Sequence, residues 1–176
     1  TLAVGPNGGA AEQLELGLRV AFTGTVESPD RLVLANVGLQ ARRTDLVDVL
    51  GGSIRATSTD GSGQFALSLD PGTYTIEFMP PSSLPLPRWT VAGEMVPDTG
   101  IPSYDLGAIQ LPPAAVLEVS VSAEDVLGSP LHGITVSAYL VDGSCSADAC
   151  DAPALFLDEV VPDADGKVQL LVPGAP

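Results

Sequence analysis

The chain has 176 residues, and its 22 acidic residues against seven basic ones give a net charge of −15. This balance disfavours nucleic acid and anionic membrane surfaces as partners, because phosphate and headgroup contacts need clustered Lys and Arg, and Lys167 is the sole lysine. No stretch approaches the roughly 18 apolar residues of a membrane span, so no membrane insertion is expected.

From the N-terminus, residues 1–16 include Gly5-Pro6-Asn7-Gly8-Gly9, which is typical of a flexible leader or interdomain linker. The rest of the chain alternates apolar and polar residues with a period of two, which predicts an all-β fold. Strands are expected near 17–26, 35–43, 53–58, 64–69, 73–79 and 105–111, and then near 115–123, 133–141, 154–161 and 167–172.

Two connections in the first half have recognisable chemistry. Asp70-Pro71-Gly72-Thr73 predicts a tight turn, because proline presets φ and glycine accepts a positive φ, and we expect the flanking strands to form a hairpin. The proline-dense segment from Met79 to Pro87 cannot be a central strand, so residues 80–104 are predicted to form one long irregular loop.

A pattern of strands and turns occurs twice. Val37 corresponds to Ile134, 97 residues later, whereas Phe65 corresponds to Val168, 103 residues later, so the second copy carries six extra residues in its middle. The first strand agrees with the smaller offset, which sets Val26 on Ala123. Such internal repetition predicts two copies of one structural unit. The matching segments are Ala35–Ala41 with Asp60–Gly72, and His132–Ala138 with Asp163–Gly174.

The repeat predicts two tandem antiparallel Greek-key-like β-sandwiches, over 17–111 and 115–176, joined by a stiff Pro-Pro linker at 112–114. In the first copy the Pro-Gly turn is followed by an alternating strand that contains Tyr74. No such strand follows Gly174, so the second sandwich is expected to be incomplete at its C-terminus, with at least one strand beyond residue 176.

Cys145 and Cys150 lie where the extra residues must be placed. Their short separation in a polar, looped segment favours a local disulfide, which would indicate an extracellular, cell-surface or periplasmic location. The competing interpretation, a zinc site, would need two further Cys or His ligands, and His132 is the only histidine. A redox role would need Cys-x-x-Cys spacing or a basic neighbour.

Asp163 and Asp165 are spaced like the opening of a calcium loop. The favoured alternative is a turn in which Asp163 begins the turn and Gly166 takes a positive φ, because an alternating strand follows instead of further oxygen ligands. We expect no cofactor, and Asp163 and Asp165 remain the calcium candidates.

Arg88, Trp89 and Tyr104 are the candidate binding residues, because they lie in the predicted 80–104 loop. A tryptophan on a proline-braced loop can stack on a sugar ring or anchor a protein interface. Alternatively, Trp89 fills the open edge of its own sandwich, and Tyr104 has the same ambiguity.

Three motifs in the chain are Gly128-Ser-Pro130-Leu131-His-Gly133, Thr59-Asp60-Gly-Ser-Gly63-Gln-Phe65 and Leu69-Asp-Pro71-Gly72-Thr-Tyr74. Through these motifs the chain resembles the carboxypeptidase regulatory-like domains, also described as transthyretin-like or prealbumin-like β-sandwiches. The first copy departs from the pattern at Val33-Leu34-Ala35-Asn36. The resemblance implies a non-catalytic module of secreted or surface-anchored multidomain proteins, some of which bind carbohydrate or protein while others accompany peptidases.

We therefore expect a non-catalytic structural or protein-interaction module, a stalk or scaffold, of an exported multidomain bacterial protein. Its partners would be other domains of the same protein or a surface protein. The alternatives are a carbohydrate-binding accessory module that uses the Trp89 loop, and an accessory domain of a secreted peptidase. An enzyme is not expected, because His132 lies in a connection shaped by Pro130 and Gly133, without a nucleophile in a catalytic setting.

Overall fold

The structure is a computed structural model that describes residues 19–45, 54–98, 100–121, 134–140 and 155–174. Over these ranges the fold is all-β, as the alternation predicts, and none of the described elements is a helix that could cross a membrane. The strands are β1 (Val20–Glu27), β2 (Gly38–Arg43), β3 (Ile54–Ser58), β4 (Gln64–Leu69), β5 (Gly72–Met79), β6 (Trp89–Val96), β7 (Ser103–Gln110), β8 (Ala114–Ser120), β9 (Val136–Leu140), β10 (Leu155–Val160) and β11 (Lys167–Pro173).

Strands β1 to β7 form two packed sheets, which we call the N-terminal sandwich. One sheet has the order β4-β1-β7 and the other has the order β3-β2-β5-β6. The inward residues of both sheets share one core, in which Tyr74, Phe22 and Phe78 are the largest fully buried side chains. The rings of Phe65 and Phe78 meet between the sheets with their centroids 6.4 Å apart. The β-sandwich class predicted for this half is therefore confirmed.

The prediction of a continuous loop over 80–104 is wrong, because β6 occupies Trp89–Val96 and pairs antiparallel with β5. The pairing shifts register between Tyr74 and Ile76, so that two residues of β6 lie opposite one residue of β5. Gly93 lies in this bulge with a φ of 77°. Beyond a bulge, the side chains that would point to one face of the sheet point to the other. The alternation of apolar and polar residues along β6 is therefore interrupted, and the sequence does not reveal this strand.

Strand β7 departs from the expected all-antiparallel pairing, because it runs parallel to β1. It also contains a bulge, since Thr23 pairs with Asp105 but Thr25 pairs with Ala108. Gly107, with a φ of 71°, lies in this bulge, and its carbonyl oxygen would lie 3.1 Å from a Cβ added at Gly24. The glycine at position 24 thus permits the close approach of β1 and β7.

The turn at Asp70-Pro71-Gly72 is present, but it does not close a hairpin. Strand β4 pairs with β1 and strand β5 pairs with β2 and β6, so this turn carries the chain from one sheet to the other. The hydroxyl of Tyr74 donates a hydrogen bond of 2.9 Å to the carbonyl oxygen of Asp70 and braces the corner. Turn chemistry predicts a change of direction, but the choice of strand partner depends on the core.

Strands β8 to β11 form two small sheets, β11-β8 and β10-β9, which we call the C-terminal sheet pair. Their shared core consists of Ala138, Leu157, Val168 and Leu170. Strand β8 pairs with β11 as β1 pairs with β4, and β9 pairs with β10 as β2 pairs with β3. The C-terminal sheet pair therefore reproduces the first four strands of the N-terminal sandwich.

Hydrogen bonds fix the correspondence of the first strands. The amide of Val26 donates to the Gly63 carbonyl at 2.9 Å, and the amide of Val121 donates to the Gly166 carbonyl at 2.8 Å. Val26 thus corresponds to Val121, so the expected match with Ala123 is wrong by two residues. A slip of two residues keeps every side chain on its own face, so the alternation cannot detect the error.

The second strands keep the predicted offsets. Leu39 pairs with Thr57, and Val136 pairs with Val160, which preserves both the offset of 97 and the offset of 103. The extra residues of the second copy therefore lie between Ala138 and Asp158. Cys145 and Cys150 fall in this interval but outside the described residues, as does His132, so the disulfide stays a prediction.

Candidate functional site

Arg88 lies between the two strand groups. Its Nη1 is 3.3 Å from Oε1 of Glu77 on β5, and its guanidinium carbon is 5.4 Å from the centre of the Phe156 ring on β10. An exposed ion pair contributes up to about 1 kcal/mol and an exposed cation–π contact about 0.5–1 kcal/mol. Arg88 therefore attaches the C-terminal sheet pair to the outer face of the N-terminal sandwich.

The proline-dense segment before Arg88 packs on two sides. Leu84 and Leu86 pack against the core of the N-terminal sandwich, and Pro87 is fully buried. The same segment and Arg88 line a narrow cleft of about 270 Å³ whose other wall includes Asp158 and Leu171 of the C-terminal sheet pair. Residues 80–88 are thus held between the two strand groups.

Trp89 begins β6, where it pairs with Phe78 and packs, partly buried, against the core. It also lines a mainly apolar cleft of about 440 Å³ at the linker. The side-chain amide of Gln110 donates a hydrogen bond of 2.5 Å to the Pro29 carbonyl at this cleft. The cleft is lined by Pro29, Trp89, Gln110, Leu111, Pro112, Pro113 and Gly174.

Tyr104 lies in a different place. It is on β7, where its ring stacks on Phe22 with the centroids 5.9 Å apart and the planes inclined by 20°. Tyr104 precedes Gln110, at the Trp89 cleft, by six residues along β7, which corresponds to about 20 Å of extended strand. The structure therefore does not bring Tyr104 together with Trp89, and the three candidate residues do not form one binding surface.

Asp163 organises a turn that matches the one at Asp60. Its Oδ1 accepts hydrogen bonds from the amides of Asp165 at 2.9 Å and Lys167 at 2.8 Å. In the first copy Oδ1 of Asp60 accepts from the amides of Ser62 and Gln64 at 2.8 and 3.0 Å. The hydrogen bond from the Ser62 hydroxyl lowers the pKa of Asp60 below its usual range, and the hydrogen bonds from the Gln64 and Ser62 amides lower it further.

Two neighbouring carboxylates, those of Asp158 and Glu159, accept hydrogen bonds within the C-terminal sheet pair. Oδ2 of Asp158 accepts from the Leu171 amide at 3.0 Å, and Oε2 of Glu159 accepts from the Ser137 hydroxyl at 3.1 Å. Across the described ranges, no three His, Cys, Asp or Glu side chains are grouped so that they could hold a metal ion.

Sequence reasoning missed the part played by Phe156. It is adjacent to Leu157, which lies in the core, so the alternation indicates that Phe156 faces outward. It packs edge to face against Tyr139 with the ring centroids 5.7 Å apart, as well as against Arg88. The outward position was visible in the sequence, but the partner across the two strand groups was not.

No known protein family and no curated protein matches the chain. Similar solved structures include a 9R-lipoxygenase from Cyanothece PCC8801 (16% identity, TM-score 0.39, covering 58% of this chain and 18% of that chain). An (S)-allantoin synthase has 12% identity and a TM-score of 0.39, covering 53% of this chain and 41% of that chain. A streptococcal ancillary pilin has 14% identity and a TM-score of 0.36, covering 89% of this chain and 51% of that chain. This chain thus spans about half of the pilin and less of the two enzymes, and its function has to be inferred from its own geometry.

Proposed function

We propose that the chain is a non-catalytic structural module of an exported multidomain bacterial protein, and that it holds two β-sheet units in a fixed relative orientation. The units are 17–111 and 115–176, joined at 112–114. The observation that carries the proposal is the position of Arg88, which pairs with Glu77 of one strand group and lies over Phe156 of the other.

The segments on either side of the joint support this function. Leu111, the last residue before the linker, is buried, and its amide donates a hydrogen bond of 2.8 Å to the Glu27 carbonyl. The amide of Gly174, at the end of β11, donates a hydrogen bond of 2.7 Å to the Pro113 carbonyl. A proline-rich linker tied at both ends restricts rotation between the units far more than a Gly-Ser linker would.

Residual dipolar couplings of backbone amides test the fixed orientation. If the joint is rigid, couplings from the N-terminal sandwich and the C-terminal sheet pair fit one alignment tensor. Arg88→Ala removes an attachment worth about 1–2 kcal/mol. The C-terminal sheet pair should then move relative to the N-terminal sandwich, and this motion should reduce its couplings. Independent tensors in the unmodified chain would contradict the proposal.

Arg19→Ala provides a matched control, because Arg19 also forms one exposed ion pair, with Asp70 at 3.2 Å, away from the joint. This change should leave the common tensor intact. Phe156→Leu keeps an apolar side chain but removes the ring under Arg88, so it should reproduce the effect of Arg88→Ala.

A second candidate function is ligand binding at the Trp89 cleft, in line with a carbohydrate-binding accessory module. The specific observation is that Trp89 lines a cleft of about 440 Å³ beside the amide of Gln110. An indole can stack on the apolar face of a sugar ring, and an amide can hydrogen-bond its hydroxyl groups. Fluorescence of Trp89, described below, separates this candidate from a purely structural tryptophan.

A further inference from the structure

The outer face of the β3-β2-β5-β6 sheet bears a cleft that the proposed function does not use. Its floor comes from β2, β5 and β6, and one wall comes from β10, so it lies between the two strand groups. Its volume of about 260 Å³ equals that of roughly nine water molecules in the liquid. We call it the inter-unit cleft, and it has room for one small ring. The cleft is lined by Gln40, Arg42, Thr75, Glu77, Thr90 and Phe156.

Strand register arranges the floor of the inter-unit cleft in two rows. Glu77 lies opposite Gln40 on one side and opposite Thr90 on the other. Thr75 lies opposite Arg42. Directly opposite side chains lie about 5 Å apart, and two rows that are two residues apart along a strand are separated by about 7 Å. The floor thus presents one row with an amide, a carboxylate and a hydroxyl, and a second row with a guanidinium and a hydroxyl.

Most polar groups of the floor have no partner within the described part of the chain. The side chains of Gln40, Thr75 and Thr90 are half-buried and make no hydrogen bond with a described residue. Arg42 forms no ion pair with a described residue, whereas three other arginines do. Half-buried polar groups are stabilised only when water or a ligand binds them. The floor therefore offers several hydrogen-bond donors and acceptors to a ligand.

The inter-unit cleft is positively charged, although the whole chain carries −15. Its charged groups are Arg42, Glu77 and, at the rim, Arg88, which contacts both Glu77 and Phe156. Because Arg88 neutralises Glu77, the charge of Arg42 is available for an anion. Distant carboxylates oppose such binding only weakly, because exposed charges more than about 8 Å away are largely screened at physiological salt.

We propose that the inter-unit cleft binds a sugar acid, a ring that carries one carboxylate and several hydroxyl groups. The guanidinium of Arg42 can hold a carboxylate through two parallel hydrogen bonds. The amide of Gln40 and the carboxylate of Glu77 suit hydroxyl groups one row away, because a hydroxyl both donates and accepts. The ring of Phe156 gives the C–H groups of the sugar an apolar contact. A simple anion would use Arg42 and leave the other row unused.

The proposal adds a ligand to the structural function and rests on that function for one wall only. The floor belongs to the N-terminal sandwich, whereas Phe156 reaches the cleft only if the two units keep their orientation. A common alignment tensor without binding of a sugar acid would overturn the ligand proposal and leave the rigid joint intact. Independent tensors with binding that Phe156→Leu does not change would refute the rigid joint and support the floor as the site.

The probe is D-glucuronate, and D-glucose is its matched control because the two differ only in the carboxylate. Each is titrated into the 176-residue chain at about 0.15 M salt, and backbone amide chemical shifts are followed. We expect saturable shifts with glucuronate at residues 40–42, 75–77 and 90. Glucose should bind at least about tenfold more weakly, because it lacks the hydrogen bonds between charged groups. Equal affinities, or no saturable shifts with glucuronate, would overturn the proposal.

Two further ligands separate the possible sources of the carboxylate. If acetate shifts the same amides with the affinity of glucuronate, the cleft is an adventitious ion site only, and the proposal is wrong. Methyl glucuronide represents the end of a glycan, because its anomeric carbon is substituted. Equal binding of the glycoside and the free acid would assign the site to a glycan end, and binding of the free acid alone would assign it to a soluble sugar acid. Trp89 emission should not respond, because Trp89 packs against the core while Thr90 lines the cleft.

Arg42→Gln should weaken glucuronate binding at least about tenfold, because it removes the charge and keeps a polar side chain. Arg42→Lys keeps the charge but loses the paired donors, so its affinity should be intermediate. Arg55→Gln is the matched control. It removes the same charge from the adjacent strand β3, but Arg55 lies opposite Ala41 and therefore on the other face of the sheet. If Arg55→Gln weakens binding as much as Arg42→Gln, while both variants keep the same urea midpoint, general charge attraction explains the binding and the proposal is overturned.

Discussion

Thr59 is the one buried polar side chain in the described part of the chain, with 2% of its surface exposed. Its hydroxyl donates to the Leu34 carbonyl at 2.6 Å and accepts from the Val37 amide at 2.9 Å. Thr59→Val keeps the shape but leaves both backbone groups buried without this partner. Each such group costs about 1–3 kcal/mol, so we expect a loss of roughly 2–6 kcal/mol of unfolding free energy.

Urea unfolding followed by Trp89 fluorescence measures this loss, because the only tryptophan lies in the same sandwich. With a slope of about 2 kcal/mol per molar urea, the midpoint should fall by about 1–3 M. Thr59→Ser keeps the hydroxyl and should cost only about 1 kcal/mol for the lost methyl group. Thr57→Val, on the edge strand β3, should change little. The reasoning is refuted if Thr59→Val is as stable as Thr57→Val, or if Thr59→Ser is as damaging as Thr59→Val.

Gly24→Ala should destabilise the N-terminal sandwich by about 1–3 kcal/mol, because its Cβ would lie 2.9 Å from the Phe65 ring and 3.1 Å from the Gly107 carbonyl oxygen. Gly61→Ala is the control, since nothing lies within 4 Å of its added Cβ, and equal urea midpoints for the two variants would contradict the packing argument. Trp89 emission should be blue-shifted and weakly quenched by acrylamide, and a panel of glycans should not change it. Red-shifted, quenchable emission that a glycan protects would instead favour the carbohydrate-binding candidate.

The sequence predicted most strands of the N-terminal sandwich because their side chains alternate without interruption, as in β4 and β5. It failed at β6, where the bulge at Gly93 exchanges the two faces of the strand. It also could not indicate that β7 lies parallel to β1, since alternation records which face is buried and contains no information on strand direction. Local pattern therefore predicted elements, whereas irregular pairing required the tertiary structure.

The candidate site was predicted less completely than the fold. The proline-rich segment before Arg88 and Trp89 points to these two residues, and the structure places that segment between the two strand groups. The sequence groups Tyr104 with them only through the single loop predicted over 80–104, and β6 separates the two ends of that span. Phe156 was missed, because its contact with Arg88 joins residues from different copies of the repeat.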